Sequence, residues 1–236
     1  MTKRPGKNDA CRSEMASMLR NVLKAVLLIG VLFPLFGPPY ARLAVKVALG
    51  SKWYSDDTVL AISAFCFYIF VMGVNGVTEA FVQAVAVPGV WSAVNVSLLL
   101  SSGGFLLSAP LLIAQLGTSG IIVANTLSML IRIASSMYFI MTYLDSPSIT
   151  SKKHSHVLNS LLPGVVDIAC MVVVVLGTHL SSLYFAKSDM TMTDSLRHVA
   201  VGVICVALFA GCMWKSHSDD LISIVKYLYT TKKRVD

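Results

Sequence analysis

Apolar residues fall in six blocks, at about 19–37, 60–87, 91–114, 118–143, 157–183 and 198–214, separated by short polar or turn-forming stretches. Each block is near the ~20 residues that cross ~30 Å of hydrocarbon at a helical rise of ~1.5 Å per residue. Strands of a membrane barrel would be about half as long and alternate with period two. With no water in the bilayer core to satisfy backbone amides, these blocks are predicted to be helices. The expected fold is all-α, a polytopic membrane protein of about six transmembrane helices. Three regions follow: a polar cytosolic N-terminal segment 1–17, a six-helix region 18–214, and a cytosolic amphipathic tail 215–236.

Composition sharpens this reading. Of 236 residues, 56% are hydrophobic and 13% charged, against roughly 25% charged in soluble domains. The net charge of +7 is carried at the termini and in connectors, not along one helical face. That pattern suits anionic lipid headgroups and argues against a nucleic-acid partner. The five cysteines (Cys11, Cys66, Cys170, Cys205, Cys212) are odd in number and contain no Cys-x-x-Cys pair. Neither a disulfide framework nor a metal site is expected from them. The first apolar block runs into Phe-Gly-Pro-Pro instead of a small-residue cleavage site, so it reads as a retained span.

The connectors give the topology. Pro38-Pro39 is expected to end the first span and open a lumenal linker, 38–57, closed by the interfacial aromatics Trp53 and Tyr54. Pro88-Gly89 predicts a tight hairpin, and Gly117 and Gly120 another. Thirteen bases are assigned to the N-terminal side: Lys3, Arg4, Lys7, Arg12, Arg20, Lys24, Lys152, Lys153, Lys215, Lys226, Lys232, Lys233 and Arg234. Five lie opposite (Arg42, Lys46, Lys52, Lys187, Arg197), and Arg132 lies inside a span. The positive-inside rule then places both termini in the cytosol. Beyond Ser218, a natural N-cap, the residues Leu221, Ile224, Val225, Leu228 and Tyr229 recur at helical spacing. This pattern predicts an interfacial helix, with a frayed polar tail as the alternative.

Charges inside apolar blocks carry the functional signal. In the second span, Asn75, Glu79 and Gln83 recur every four residues and share a face, with the small residues Gly76, Ala80 and Ala84 one position on. The small stripe is expected to pack against another helix while its polar neighbour faces a cavity. Counted from the span ends, Glu79, Arg132 and Asp167 all fall near mid-membrane. A lone charge there costs about 2.5–3.5 kcal/mol, so Glu79 and Arg132 are expected to face inward within reach of each other. They form either a structural ion pair or part of a transport cavity in which Arg132 meets an anionic headgroup. Asn125 lies seven residues before Arg132 on the same face, as interhelical glue or as a ligand. His179 and His198 sit near span ends, where no function is needed. His154 and His156 lie in a loop without further ligands. No Gly-x-Ser-x-Gly, His-Glu-x-x-His or Walker-type run occurs, so neither an enzyme nor a bound cofactor is expected.

The stretch from Ala64 to Phe81, with its Asn75-Gly-Val-Thr-Glu79 core, resembles the Rft family of endoplasmic reticulum membrane proteins. Phe36-Gly-Pro-Pro-Tyr40 leading to Leu43-Ala44, and Ser119 to Asn125 leading to Ile131-Arg132-Ile133, agree in order and spacing. The resemblance implies one lobe of a MATE-like, two-lobed flippase, matching the C-terminal half of the family and lacking an N-terminal lobe. It implies a role in N-glycosylation, moving dolichyl-diphosphate-linked oligosaccharide from the cytosolic to the lumenal leaflet. Arg132, Glu79, Asn75 and Asn125 are the candidate substrate-binding residues. A non-transporting accessory protein of the same pathway is the alternative. A cation-coupled exporter using Glu79 or Asp167 is a third reading.

Overall fold

The structure, a computed structural model, describes residues 7–86, 88–144, 163–185 and 191–235. Among the described residues seven α-helices follow in order: α1 Lys7–Gly30, α2 Leu32–Ala44, α3 Asp56–Val85, α4 Pro88–Leu116, α5 Thr118–Leu144, α6 Val165–Phe185 and α7 Met192–Val235. Six stretches among the described residues are long and apolar enough to cross a membrane: Glu14–Leu49, Asp56–Val85, Trp91–Leu116, Thr118–Leu144, Val165–Phe185 and Met192–Ser218. The chain is thus an all-helical, multi-pass membrane protein. The basic residues Lys3, Arg4, Lys152, Lys153 and Lys187, with His154 and His156, lie outside the described residues.

The helices form two packed groups. In the first, α3 and α5 pack together, α4 covers α5, and α1 lies on α3. Its core joins Ala16 and Leu19 of α1, Val82 of α3, and Ile140 and Leu144 of α5. In the second, α6 packs on α7 and α2 reaches both groups. Its core gathers Leu35, Val174, Cys205, Phe209 and Met213. Most large apolar side chains elsewhere point outward, as expected where the solvent is lipid.

Local chemistry explains the boundaries. Pro34 lacks an N–H and its ring crowds the carbonyl of residue 30, which is where α1 stops, at Gly30. The expectation that Pro38-Pro39 ends the first span is corrected. Both prolines lie inside α2, which runs to Ala44 and continues as a π-helical turn, Val45–Leu49. Neighbouring groups can replace the missing backbone bonds of an intramembrane proline. Close approach is secured here by Gly37, where a Cβ would lie 2.2 Å from Cys66 Sγ on α3. The connector therefore starts at Gly50, which adopts φ +79°. Asp56 and Asp57 occupy the first turn of α3, whose N-cap Ser55 accepts a bond from Thr58 N at 3.1 Å. At the α4–α5 corner, Gly117 has φ +57°, and a Cβ on Gly120 would meet the Leu112 carbonyl at 2.2 Å.

Three further expectations change. The stripe Gly76, Ala80 and Ala84 is exposed, with nothing within 4 Å of a Cβ at Gly76. Spacing alone identified the shared face but not its neighbour. Asp167 is not at mid-span. Pro163-Gly164 precede the helix, so Asp167 sits in the first turn of α6, accepting from Gly164 N at 2.9 Å. Its Oδ2 also meets His217 Nε2 at 3.0 Å, where α7 is interrupted (φ −129°, ψ 18°) just before the anticipated N-cap Ser218. His198 is fully buried instead of interfacial. The tail beyond the interruption is helical through Val235.

Candidate functional site

The site is a cavity of about 450 Å³ walled by α3, α4 and α5. Helix α3 contributes Glu79, Val82 and Gln83, and α4 contributes Ala93 to Leu100 in part, including Ser97. Helix α5 contributes Arg132, Ser135, Ser136, Tyr138, Phe139 and Thr142.

Glu79 and Arg132 meet as anticipated. Arg132 Nη2 donates to Glu79 Oε2 at 2.5 Å, joining α5 to α3 across the cavity wall. Their side chains are 20% and 29% exposed, so the pair is neither sealed in the core nor fully open. It can therefore be reached from the cavity while remaining shielded enough for its charges to matter. Glu79 lies six residues before the end of α3 and Arg132 twelve before the end of α5, or ~9 Å and ~18 Å by helical rise. Mid-helix placement thus holds for Arg132 and not for Glu79, because α3 ends at Val85, three residues short of the Pro88 from which the depth of Glu79 is counted.

The two asparagines lie elsewhere. Asn75 is 5% exposed and is not a cavity-lining residue. From one turn back on the same helix, its Nδ2 donates to Glu79 Oε2 at 3.1 Å. Asn125 donates to Tyr68 Oη at 3.1 Å, an interhelical bond between α5 and α3 away from the cavity lining. Its geometry is that of glue between helices.

Sequence reasoning missed the hydroxyl band. Ser135 and Ser136 follow Arg132 by three and four residues, so helical spacing places them on its face. Extending the polar-stripe count from the second span to the fourth would have found them. Ser135 Oγ donates to Ile131 O at 2.9 Å and Thr142 Oγ1 to Tyr138 O at 2.9 Å. Their protons are committed to their own helix, so these hydroxyls offer lone pairs to the cavity. The wall therefore combines one strong fork of N–H donors with several oxygen acceptors on an apolar background.

A family model described as Rft protein matches residues 3–227. The Man(5)GlcNAc(2)-PP-dolichol translocation protein RFT1 of Mus musculus is 30% identical over 199 residues, covering 83% of this chain and 35% of that protein. The protein of the same name from Eremothecium gossypii is 30% identical over 211 residues, covering 89% and 37%. That of Caenorhabditis elegans is 28% identical over 214 residues, covering 86% and 38%. No solved structure matches the chain. The chain spans a little over a third of the length of these relatives. With a family match running through nearly all of its described helices, the chain belongs to the Rft family.

Proposed function

We propose that this chain forms part of a glycolipid translocator of the endoplasmic reticulum, with both termini cytosolic. Its substrate is dolichyl-diphosphate-linked oligosaccharide, passed from the cytosolic to the lumenal leaflet. The observation that carries this reading is the Glu79–Arg132 pair in the wall of an intramembrane cavity. Intramembrane charges that face cavities mark pathways for polar cargo. A guanidinium binds phosphate oxygens through paired N–H donors, and the serine and threonine oxygens accept hydrogen bonds from sugar hydroxyls. The long isoprenoid tail stays in lipid, against the apolar outer faces. Pockets of ~300–1,000 Å³ hold drug-sized ligands, so about 450 Å³ takes a segment of the headgroup, not the whole oligosaccharide at once. Residues of the protein beyond these helices would complete the path. No enzyme chemistry or cofactor enters this reading.

The reading requires water at Glu79 and Arg132. Single cysteines at positions 79 and 132, in the full-length protein in membranes, are expected to react with a membrane-impermeant thiol reagent. A cysteine at 125 is expected to react at least tenfold more slowly, since Asn125 lies against Tyr68. Protection of both 79 and 132 would rule out a wet cavity.

A second reading is favoured by a specific observation: Glu79 and Arg132 bond directly between α3 and α5, as Asn125 and Tyr68 do. The chain would then be an accessory membrane protein of the same pathway whose buried polar groups only fix helix packing. The two readings differ in what removal of both charges does.

A further inference from the structure

Asn75 does not contact the cavity, yet its amide is committed to the residue that does. Nδ2 donates to the same Glu79 oxygen, Oε2, that Arg132 Nη2 holds. Asn75 Oδ1 is buried with no hydrogen-bond partner. An asparagine that glues helices together bonds across to its neighbour, as Asn125 does to Tyr68. Asn75 instead spends its amide within α3, and buried polar atoms left unpaired are costly enough to be rare. On the other side of the pair, Arg132 Nε is also buried without a partner. The guanidinium carries five donors in a planar fork. It grips Glu79 through Nη2 while Nε has no acceptor.

Resting on the reading of Arg132 as an anion ligand, we propose that Asn75 is a positioning residue that holds Glu79 while Arg132 exchanges the carboxylate for a phosphate oxyanion. The physical difficulty of such an exchange is the abandoned carboxylate. Once Arg132 turns to the incoming anion, Glu79 is left without its cationic partner and beside a second negative charge. Asn75 reduces that cost. It sits one turn away on the same helix, so its N–H follows Glu79 whatever α5 does. With Arg132 gone, Oε2 still has a donor. Among the described lining residues α4 contributes no ionisable side chain to the cavity, and α5 adds Tyr138 besides Arg132. In this scheme the ion pair is a resting closure, and Asn75 makes it displaceable.

The test uses the purified full-length protein in lipid nanodiscs and inorganic pyrophosphate as the probe, with affinity read by calorimetry. Asn75→Leu, similar in size but without a donor, is expected to weaken pyrophosphate binding about tenfold. Asn75→Gln keeps a donating amide and is expected to recover most of that loss. Glu79→Gln removes the internal competitor and is expected to tighten binding. In the Glu79→Gln background the Asn75→Leu effect should vanish, because no carboxylate remains to be held. A packing role predicts equal losses in both backgrounds, which would overturn the proposal, as would wild-type affinity in Asn75→Leu. Binding that is absent, or unchanged in Arg132→Gln, would overturn this inference together with the anion-ligand reading. Arg132-dependent binding without coupling between Asn75 and Glu79 would overturn this inference alone.

Discussion

Arg132→Met on its own is expected to destabilise the helical bundle by about 3 kcal/mol, the lower end of the range for removing one partner of a buried ion pair, because this pair is partly exposed. The cause is not the lost attraction. Glu79, only 20% exposed and held by Arg132 and Asn75, is left with one neutral donor in place of its cationic partner. Glu79→Gln is expected to cost a comparable amount, since it leaves the Arg132 guanidinium without its counter-charge. The double variant Glu79→Gln/Arg132→Met removes both charges and leaves no orphan. It should be much closer to wild type than either single variant, and far from the sum of the two. The unfolding midpoint of each variant in the same detergent or nanodisc measures this. Additive losses would mean that the two side chains are not coupled as the 2.5 Å contact indicates.

The second large effect is expected at His198, remote from the cavity. Its ring is fully buried where α2, α6 and α7 meet. Pro39 O can only accept, so the 3.2 Å contact requires His198 Nε2 to carry the proton. In the neutral ring Nδ1 is then the acceptor of the Ser181 hydroxyl at 2.7 Å. Tyr40 stacks on the imidazole (4.1 Å between centroids, 11° between planes), and its hydroxyl donates to the His198 carbonyl at 2.9 Å. Gly202 faces the same Tyr40 ring, where a Cβ would come 2.5 Å from its hydroxyl oxygen. His198→Ala therefore removes two hydrogen bonds and a stacking partner and opens a void. A loss of about 3–5 kcal/mol is expected. Tyr40→Phe deletes one hydrogen bond and should cost about 1 kcal/mol. Thermal unfolding should rank wild type, Tyr40→Phe and His198→Ala in that order. Equal stability of His198→Ala and wild type would contradict the packing described.

These two clusters differ in how far the sequence disclosed them. Six spans were legible because lipid imposes length and apolarity on every crossing segment. The Glu79–Arg132 contact was legible because opposite charges inside apolar blocks must be offset, and each is the other's natural partner. The Asn75–Glu79 bond follows from i, i+4 spacing on one helix. Tertiary neighbours were not legible. Gly76, Ala80 and Ala84 share a face by periodicity, but periodicity does not say what lies opposite, and that face is exposed. Asp167 was misplaced because counting from the edge of an apolar block ignored Pro163-Gly164, after which the described helix begins. His198 was dismissed because a histidine near a span end resembles an interfacial one. Its burial depends on Tyr40 and Pro39, some 160 residues away, lying in a helix the tandem prolines were expected to end. Ser135 and Ser136 were within reach of the same periodic argument that found Gln83.

The central claim is that the polar wall at Glu79 and Arg132 serves the passage of an anionic glycolipid and not only the cohesion of α3 and α5. The decisive measurement is glycan occupancy on a reporter glycoprotein in cells whose only copy of the full-length protein carries Glu79→Gln/Arg132→Met, at matched membrane abundance. A passage role predicts severe under-glycosylation although the doubly neutral protein folds and accumulates normally. Full glycan occupancy in those cells would contradict it and leave the pair as a tie between helices.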